Sequence, residues 1–311
     1  MPVLPEQLTI FAPAKVNLHL AVLDRRPDGF HNLESVFLAV DFGDTLHYEL
    51  INGENTPEII MEAPSTVGAA RFNLPVEKNI IFKAMSLFRE KTGFTQGLRV
   101  RVEKRIPLGG GLGGGSSNAA ATLLVMNKLA GGLLGRDALL KMAASLGSDV
   151  PFFIYETAAA LVTGRGECVK PIEAPHCFLV LVNPGFPSDT AAAFRLLVES
   201  RKGSGDRGSG IRDFFQTQMK DNSSIPLFVN DFLPVFPERE KFVYNQILSD
   251  LRELGAGFAG LSGAGSTCFG VFEEKKLAEK AAVVLRTKWG FAECCSPSKN
   301  SLCEDNILYS E

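Results

Sequence analysis

The sequence predicts a two-domain α+β protein, and three observations support that prediction. The 311 residues suffice for two domains, and a hydrophobic share of 45% suffices for two cores. Segments in which apolar residues alternate, as in half-buried strands, are interspersed with segments of helical apolar spacing. A glycine-containing turn at 163–167 precedes a new predicted strand at Cys177–Val182. We therefore expect an N-terminal domain of residues 1–170 and a C-terminal domain of residues 171–311.

The composition argues against several classes of partner. A net charge of −3 disfavours nucleic acid, and no apolar stretch reaches the length of about 20 residues that a membrane span needs. None of the six cysteines forms a C-x-x-C pair, and residues 1–14 lack the layout of a signal peptide. The adjacent Cys294 and Cys295 have no histidine or third cysteine at ligand spacing, which disfavours a redox or metal site. We expect a cytoplasmic protein with reduced thiols and no nucleic-acid or membrane partner; no pattern specifies an oligomeric state.

The most distinctive stretch is rich in glycine and runs into a predicted buried helix. It consists of Pro107, Leu108, Gly109, Gly110, Gly111, Leu112, Gly113, Gly114 and Gly115, followed by Ser116 and Ser117. Glycines allow positive φ angles and leave backbone amides open to an anion. We expect the two serines to cap a helix over 118–130, whose N-terminus would add its positive dipole end. No acidic residue occurs between Ile106 and Arg136, so this stretch, the glycine loop, is predicted to bind phosphate.

The glycine spacing distinguishes three interpretations of this loop. Gly109, Gly111 and Gly114 match a dinucleotide fingerprint, but no acidic residue ends a strand about 20 positions later. Gly110 and Gly115 have the Walker spacing, but Ser116 occupies the place of the lysine. A hinge without a ligand is less favoured, because a hinge does not need a buried helix directly behind it. The cation that a phosphate site needs must come from another part of the chain.

One predicted strand, Val16–Leu23, carries polar groups on a single face. Lys15, Asn17 and His19 alternate with apolar residues, so the three polar side chains point the same way. This face is either solvated or lines a cleft.

Three further segments have a structural and a functional interpretation each. Phe30 and His31 follow a charged turn and either stack on a flat ring or anchor a core. Asp149 heads an apolar run and either caps a turn or accepts a proton at the rim of the core. The small-residue loop at 262–266 is either a tight connection or closes on the ligand of the first loop. Residues 201–212, rich in Gly, Ser and mixed charges, are predicted to be a linker.

With these motifs in view, the chain resembles the GHMP kinases, the superfamily that includes galactokinase, homoserine kinase and mevalonate kinase. The resemblance spans nearly the whole chain through the blocks Ala12–Leu18, Asp28–His31, Pro107–Ala120, Gly147–Phe153 and Leu261–Gly265. The Gly-Phe-His turn and the Ser-Asp-Val-Pro-Phe-Phe block are similar to the branch whose acceptor is a cytidine diphosphate sugar alcohol. The resemblance implies an N-terminal domain like domain 2 of ribosomal protein S5 and a ferredoxin-like C-terminal domain.

The resemblance also implies roles for named residues. ATP with Mg²⁺ would place its phosphates in the glycine loop, with Lys104 near the adenine and Asn79 as a weaker candidate. Asp149 would be the general base, kept ionised and oriented by Lys15. Cytosine would be held by Phe30, His31 and Phe194, with Asn17 and Thr190 lining the same pocket. No residue is assigned as a metal ligand, and Ser116 and Ser117 are the nearest candidates for Mg²⁺. The branch usually carries Tyr where this chain has Phe30, so ring stacking is kept and a hydroxyl is lost.

These implications lead to a predicted activity, with two alternatives. The prediction is transfer of the ATP γ-phosphate to a hydroxyl of the cytidine-containing acceptor, a step of the non-mevalonate isoprenoid pathway. A homoserine or mevalonate type of kinase is the nearest alternative, although those acceptors have no base to stack on Phe30 and Phe194. A non-catalytic nucleotide-binding regulator is the other, although a mere binder needs neither Lys15 nor Asp149.

Overall fold

The computed structural model describes residues 7–54, 57–62, 75–201, 229–299, 301–302 and 307–309. The strands are β1 (Gln7–Arg25), β2 (His31–Glu54), β3 (Pro57–Glu62), β4 (Gln96–Glu103), β5 (Ala159–Gly164), β6 (Cys168–Ile172), β7 (Phe178–Asn183), β8 (Phe258–Leu261), β9 (Cys268–Phe272), β10 (Phe291–Cys295) and β11 (Ile307–Tyr309). The α-helices are α1 (Ile80–Thr92), α2 (Gly114–Leu129), α3 (Arg136–Leu146), α4 (Val150–Ile154), α5 (Thr190–Ser200), α6 (Glu238–Glu253) and α7 (Lys275–Trp289). Short 3₁₀ turns occur at Val76–Lys78 and Leu233–Val235.

The first sheet has seven strands and is organised around β1 and β2. Its order is β11-β1-β2-β4-β3, and β5 pairs with β2 and with β6. The long β1–β2 pair is antiparallel, with shifts of register at Pro13/Ala14, Asn17/His19 and Val22/Arg25. Such irregularities bend and twist a strand, so one strand can pack against different parts of the molecule along its length.

The second sheet has four antiparallel strands in the order β10-β7-β9-β8. Its hydrophobic cluster includes Val180 and Val182 from β7 together with Leu251 from α6 and Leu285 from α7. The two sheets meet in a separate cluster that joins Val16 of β1 and Leu38 of β2 to Leu181 and Phe269 of the second sheet. Because both sheets share this buried layer, loops from either sheet are held against the other.

A third cluster fills the space between the first sheet and its helices. It contains Phe88 of α1, Leu123 of α2, Leu139 of α3 and Phe152 of α4, each nearly or fully buried. Helix α2 is buried nearly all along its length, from Ser117 to Leu129 with one partly buried exception, Lys128. The glycine loop therefore ends on a helix that the core fixes in place.

These observations confirm the predicted α+β fold with two domains and refine its elements. The strand predicted at 16–23 is part of the much longer β1. The predicted boundary at 170/171 falls inside β6, and β11, close to the C-terminus, pairs with β1. The linker predicted at 201–212 lies outside the described residues apart from Arg201, and so does Cys303.

Candidate active site

The glycine loop forms the first wall of the site, and its helix begins earlier than the sequence indicates. Helix α2 starts at Gly114, with Gly113 as N-cap at φ +69° and no capping side chain. The prediction that Ser116 and Ser117 cap the helix is therefore wrong, because the chain turns into the helix through a left-handed glycine instead. Ser117 Oγ, fully buried in the first turn, has no hydrogen-bond partner among the described residues.

Segments from both sheets hold the loop by its carbonyl groups. Lys15 donates its amide to the carbonyl of Leu112 at 2.9 Å, and Thr267 donates its amide to that of Gly110 at 3.1 Å. The Ser262 hydroxyl donates to the carbonyl of Gly111 at 2.9 Å. The second small-residue loop thus packs directly against the glycine loop. A methyl group on Gly111 would lie 2.1 Å from the Ser262 carbonyl oxygen, so this contact requires glycine.

A cavity of about 450 Å³ opens beside the glycine loop, and we call it the nucleotide cavity. It is lined by Met61, Lys78, Asn79, Ile80, Ile81, Lys104, Asn118 and the stretch from Pro107 to Ser116. Asn79 accepts a hydrogen bond from the Ile81 amide at 2.9 Å and so caps α1. Both predicted nucleotide residues outside the loop, Asn79 and Lys104, therefore lie in the wall of the same cavity as the glycines. The second of the two serines, Ser117, lies behind that wall.

Lys104 is held by an aspartate that the sequence analysis did not single out. Lys104 Nζ lies 2.5 Å from Asp44 Oδ2, and the two side chains are 3% and 0% exposed. The other carboxylate oxygen of Asp44 accepts the amides of Arg105 at 2.8 Å and Ile106 at 2.9 Å. Burial lowers the pKa of Lys104, while Asp44 opposes that shift. Asp44 thus supports both the lysine and the chain that enters the glycine loop.

Lys15 and Asp149, which are 134 residues apart in the sequence, form an ion pair between the loop and a second cavity. Lys15 Nζ lies 3.2 Å from Asp149 Oδ2, with the lysine side chain 4% and the aspartate side chain 31% exposed. The stem of Lys15 packs on Gly113, where an added methyl group would approach its Cγ to 2.9 Å. Asp149 precedes α4 without capping it by its side chain, so its interpretation as a turn cap is wrong. The carboxylate is instead available on the cleft side of the pair.

The polar face of β1 is buried, so the interpretation as a solvated face is wrong. Lys15, Asn17 and His19 are 3%, 4% and 3% exposed. Asn17 Oδ1 accepts from Lys15 Nζ at 2.5 Å, and its amide nitrogen donates to Ser35 Oγ at 2.9 Å. Asn17 therefore supports Lys15, and it is not among the described residues that line the second cavity. Burial lowers the pKa of His19 to about 4, so its ring is neutral at neutral pH.

The second cavity has a volume of about 760 Å³, and we call it the acceptor groove after the substrate residues that were predicted to lie together there. Phe30, His31, Asp149, Thr190 and Phe194 all line it, which brings together the remaining predicted substrate residues. Phe30 is 52% exposed, so it is not a core anchor. The rings of His31 and Phe194 are stacked with centroids 5.6 Å apart.

The charge of His31 follows from its surroundings. Burial and the guanidinium groups of Arg25 and Arg201 lower the pKa of His31. A lowered pKa favours the neutral imidazole, which can both donate and accept a hydrogen bond.

Arg165 is a groove residue that the sequence analysis passed over as part of a turn. Its guanidinium carbon lies 4.9 Å from the centroid of the Phe30 ring. The only sequence signal was its position between two glycines, Gly164 and Gly166, which is common in turns without a function.

The described residues contain neither a metal-binding cluster nor a membrane-spanning helix. No group of three or more His, Cys, Asp or Glu side chains there is arranged to hold a metal ion. No helix in the same part of the chain is long and apolar enough to cross a membrane.

Comparison with protein families agrees with this architecture. The N-terminal domain of the GHMP kinases matches residues 79–157, and their C-terminal domain matches residues 231–290. The first match contains the nucleotide-cavity helix α1, the glycine loop and Asp149, and the second contains the small-residue loop that packs on the glycine loop. The fold and the site thus define a GHMP kinase, an ATP-dependent small-molecule kinase.

Individual relatives show to which branch of the GHMP kinases the chain belongs. The chain is 35% identical over 278 residues to the 4-diphosphocytidyl-2-C-methyl-D-erythritol kinase of Chromobacterium violaceum, covering 89% of this chain and 90% of that protein. A crystal structure of 4-(cytidine 5'-diphospho)-2C-methyl-D-erythritol kinase matches with a TM-score of 0.74 and 31% identity, covering 93% of this chain and 98% of the other. Homoserine kinase from Cytophaga hutchinsonii matches with a TM-score of 0.71 at 17% identity, covering 97% of each chain, which shows the fold alone. At this identity and coverage, the chain belongs to the family of 4-diphosphocytidyl-2-C-methyl-D-erythritol kinases.

Proposed function

We propose that this protein transfers the γ-phosphate of ATP to the 2-hydroxyl of 4-diphosphocytidyl-2-C-methyl-D-erythritol, a step in non-mevalonate isoprenoid synthesis. One observation carries the proposal: the Lys15–Asp149 ion pair connects the two cavities. Lys15 packs on Gly113 of the glycine loop, and Asp149 lines the acceptor groove. A phosphate donor on one side and an acceptor hydroxyl on the other would meet at this pair.

The residues of the nucleotide cavity fit a triphosphate. Three glycines of the loop have positive φ, Gly109 at +63°, Gly111 at +75° and Gly113 at +69°. Successive amides in such a conformation form a concave anion site, and α2 adds its N-terminal dipole end. The loop contains no carboxylate that would repel a phosphate. When bound, ATP supplies the phosphoryl group, and the protein supplies position and charge.

We assign the proton acceptor to Asp149 and its orientation to Lys15. A carboxylate in the groove accepts the proton of the acceptor hydroxyl, and the Lys15 ammonium at 3.2 Å pairs with that carboxylate and orients it. Asn17 Oδ1 accepts a hydrogen bond from Lys15 Nζ and so helps to fix the position of the ammonium group. Lys15 Nζ also lies 4.6 Å from the centroid of the Phe37 ring, which fixes it further.

Mg²⁺ belongs to the proposal as the counter-ion of ATP. Ser116 lies in the cavity wall, where its hydroxyl could serve as one ligand, whereas Ser117 is not among the described residues that line the cavity. The ligand set of such an ion is completed by phosphate oxygens and water in many kinases, so few protein ligands suffice.

The acceptor groove favours a cytidine-containing substrate over smaller acceptors. It offers an exposed aromatic ring in Phe30, the stacked pair of His31 and Phe194, and a volume of about 760 Å³. Homoserine and mevalonate have no base that would use these rings.

The test is a comparison of acceptors. Purified protein with Mg²⁺ and ATP is given 4-diphosphocytidyl-2-C-methyl-D-erythritol, 2-C-methyl-D-erythritol 4-phosphate, homoserine or mevalonate, and ADP formation is followed. We expect turnover with the first acceptor alone, and ³¹P NMR should locate the new phosphate at the 2-hydroxyl. Turnover only with homoserine or mevalonate would overturn the acceptor, and ATP binding without turnover on any acceptor would favour a regulator.

A further inference from the structure

We propose that Arg165 binds the diphosphate of the acceptor and thereby selects acceptors that carry this group. The inference rests on the proposed function and extends it to a residue for which neither the sequence pattern nor the family resemblance assigned a role. It depends on where the β5–β6 turn holds the guanidinium group.

The turn that carries Arg165 is firmly built. Gly164 and Gly166 have φ angles of +72° and +127°, which glycine alone adopts readily. The Arg165 amide donates to the Glu167 carboxylate at 2.6 Å, and the Gly166 amide donates to the Thr163 carbonyl at 3.2 Å. The backbone at Arg165 is therefore fixed by the turn itself.

The turn also packs against the segment that carries the general base. A methyl group on Gly166 would lie 3.0 Å from Ser148 Cβ and 3.2 Å from the Ser148 carbonyl oxygen. On its other side, Gly164 pairs with Leu33 of β2, two residues after His31. Arg165 thus lies between the aromatic residues of the groove and the Ser148–Asp149 segment.

This intermediate position corresponds to the middle of the acceptor. In 4-diphosphocytidyl-2-C-methyl-D-erythritol, the diphosphate separates the cytidine from the sugar alcohol that is phosphorylated. If the base contacts Phe30 and the reacting hydroxyl contacts Asp149, the diphosphate must pass between them. A guanidinium group there can pair with phosphate oxygens through two parallel hydrogen bonds.

The charges around Arg165 leave it suited to this task. Its Nε forms a long ion pair with Glu167 Oε1 at 3.9 Å, which leaves the guanidinium without a hydrogen bond to that carboxylate, and its side chain is 29% exposed. The nearby Asp28 carboxylate is engaged by Arg26 Nε at 3.1 Å. Asp149, on the other side, is paired with Lys15.

The contact with Phe30 gives Arg165 a second effect. The guanidinium lies over one face of the ring at 4.9 Å, so a base can stack only on the other face. Arg165 would therefore bind the diphosphate and also restrict the base to one face of the Phe30 ring.

The test separates the charge of Arg165 from its contact with the ring. In Arg165→Met a long apolar stem can still cover Phe30, while the charge is lost; Arg165→Lys restores a charge without the planar fork. Binding of CDP and of cytidine is measured by calorimetry for the wild-type protein and both variants. We expect Arg165→Met to weaken CDP binding about 10- to 100-fold and to change cytidine binding less than about twofold. We expect Arg165→Lys to recover part of the CDP affinity.

Steady-state kinetics supply a second readout. In Arg165→Met, the KM for 4-diphosphocytidyl-2-C-methyl-D-erythritol should rise about tenfold or more, while the KM for ATP stays unchanged. Arg101→Met removes an arginine of β4 that pairs with Glu62 and Glu103 outside the groove, and it should behave as wild type.

Two results would overturn the role of Arg165 while leaving the proposed function intact. One is unchanged CDP affinity in Arg165→Met, and the other is an equal loss for CDP and cytidine, which would mean that the residue only shapes Phe30. Wild-type protein that binds neither CDP nor cytidine would overturn both the proposed acceptor and this role.

Discussion

The two cavities that meet at Lys15 and Asp149 are built in different ways. The nucleotide cavity is made largely of backbone, and its loop carbonyls are held by Lys15, Ser262 and Thr267 from both sheets. The acceptor groove is made largely of side chains, among them the exposed ring of Phe30. A backbone site recognises a group that every nucleotide triphosphate shares, whereas a side-chain site can be changed one residue at a time. We therefore expect donor chemistry to depend on glycine geometry and acceptor choice to depend on individual side chains.

Asp149 lines the groove and pairs with Lys15 where the two cavities meet, so under the proposed function its replacement should have the largest effect. Asp149→Asn keeps the shape of the side chain and removes its ability to accept a proton. Turnover should fall by a factor of about 10² to 10⁴, with little change in ATP affinity. Rapid-quench kinetics and calorimetry measure the two quantities. Asp137→Asn, at an exposed position in the first turn of α3, is the matched control. Near-normal turnover of Asp149→Asn would remove the general base from the proposal.

Gly111→Ala tests whether the nucleotide cavity depends on backbone contact. The new methyl group would lie 2.1 Å from the Ser262 carbonyl oxygen and 2.8 Å from that of Gly265, at a φ of +75°. Strain and overpacking together should lower the free energy of unfolding by about 2–5 kcal/mol and weaken ATP binding.

Gly131→Ala separates the cost of backbone strain from the cost of overpacking. Gly131 has nearly the same φ, +76°, but nothing within 4 Å of an added methyl group. This variant should lose only about 1–2 kcal/mol of stability and keep its ATP affinity. Equal losses in the two variants, measured by denaturant unfolding, would show that backbone strain alone explains Gly111.

Asp44→Asn tests the side-chain support of the same cavity. The change leaves an amide oxygen for the amides of Arg105 and Ile106 but removes the charge that pairs with Lys104. Breaking a buried pair in this way should cost about 3 kcal/mol of stability and weaken ATP binding about tenfold, with the KM of the acceptor unchanged.

A double variant shows whether Asp44 acts through Lys104. If it does, Asp44→Asn should have little further effect on ATP binding in a Lys104→Met background, because the two losses are not additive. Glu49→Gln is the control, since Glu49 lies on the same strand and pairs with Arg99 at 2.8 Å, away from the cavity wall. Additive losses would mean that the charge of Asp44 supports the loop independently of Lys104, through the charge-assisted hydrogen bonds from the Arg105 and Ile106 amides.

The difference between the cavities also explains what the sequence could predict. The glycine loop is continuous in sequence, and its need for small residues is visible without a structure. The buried helix behind it was predicted from composition, but its start was misplaced. Serine is a strong capping residue, whereas the left-handed turn at Gly113 replaces the cap at a position where the Lys15 side chain, distant in sequence, leaves no room for a Cβ.

Residues that act through partners distant in sequence were harder to predict. Asp44 and Lys104 are 60 positions apart, and Arg165 reaches Phe30 only through the pairing of β5 with β2. Nothing in their local patterns distinguishes them from an ordinary strand or turn residue. Lys15 and Asp149 were each singled out from a local pattern, but only the family resemblance paired them, because one strand position and one pre-helical carboxylate have no spacing of their own to connect them.

Phe30→Tyr should have the smallest effect and gives the finest test of the groove. The ring is 52% exposed, so a hydroxyl added to it can stay hydrated, and the stacking face is unchanged. We expect the KM of the acceptor to change less than about threefold, whereas Phe30→Leu, which removes the aromatic face, should raise it about tenfold. Steady-state kinetics with the two variants decide the point. A larger change in Phe30→Tyr than in Phe30→Leu would mean that a polar contact dominates recognition of the base, and acceptor choice would then depend on hydrogen-bond geometry, as donor binding does.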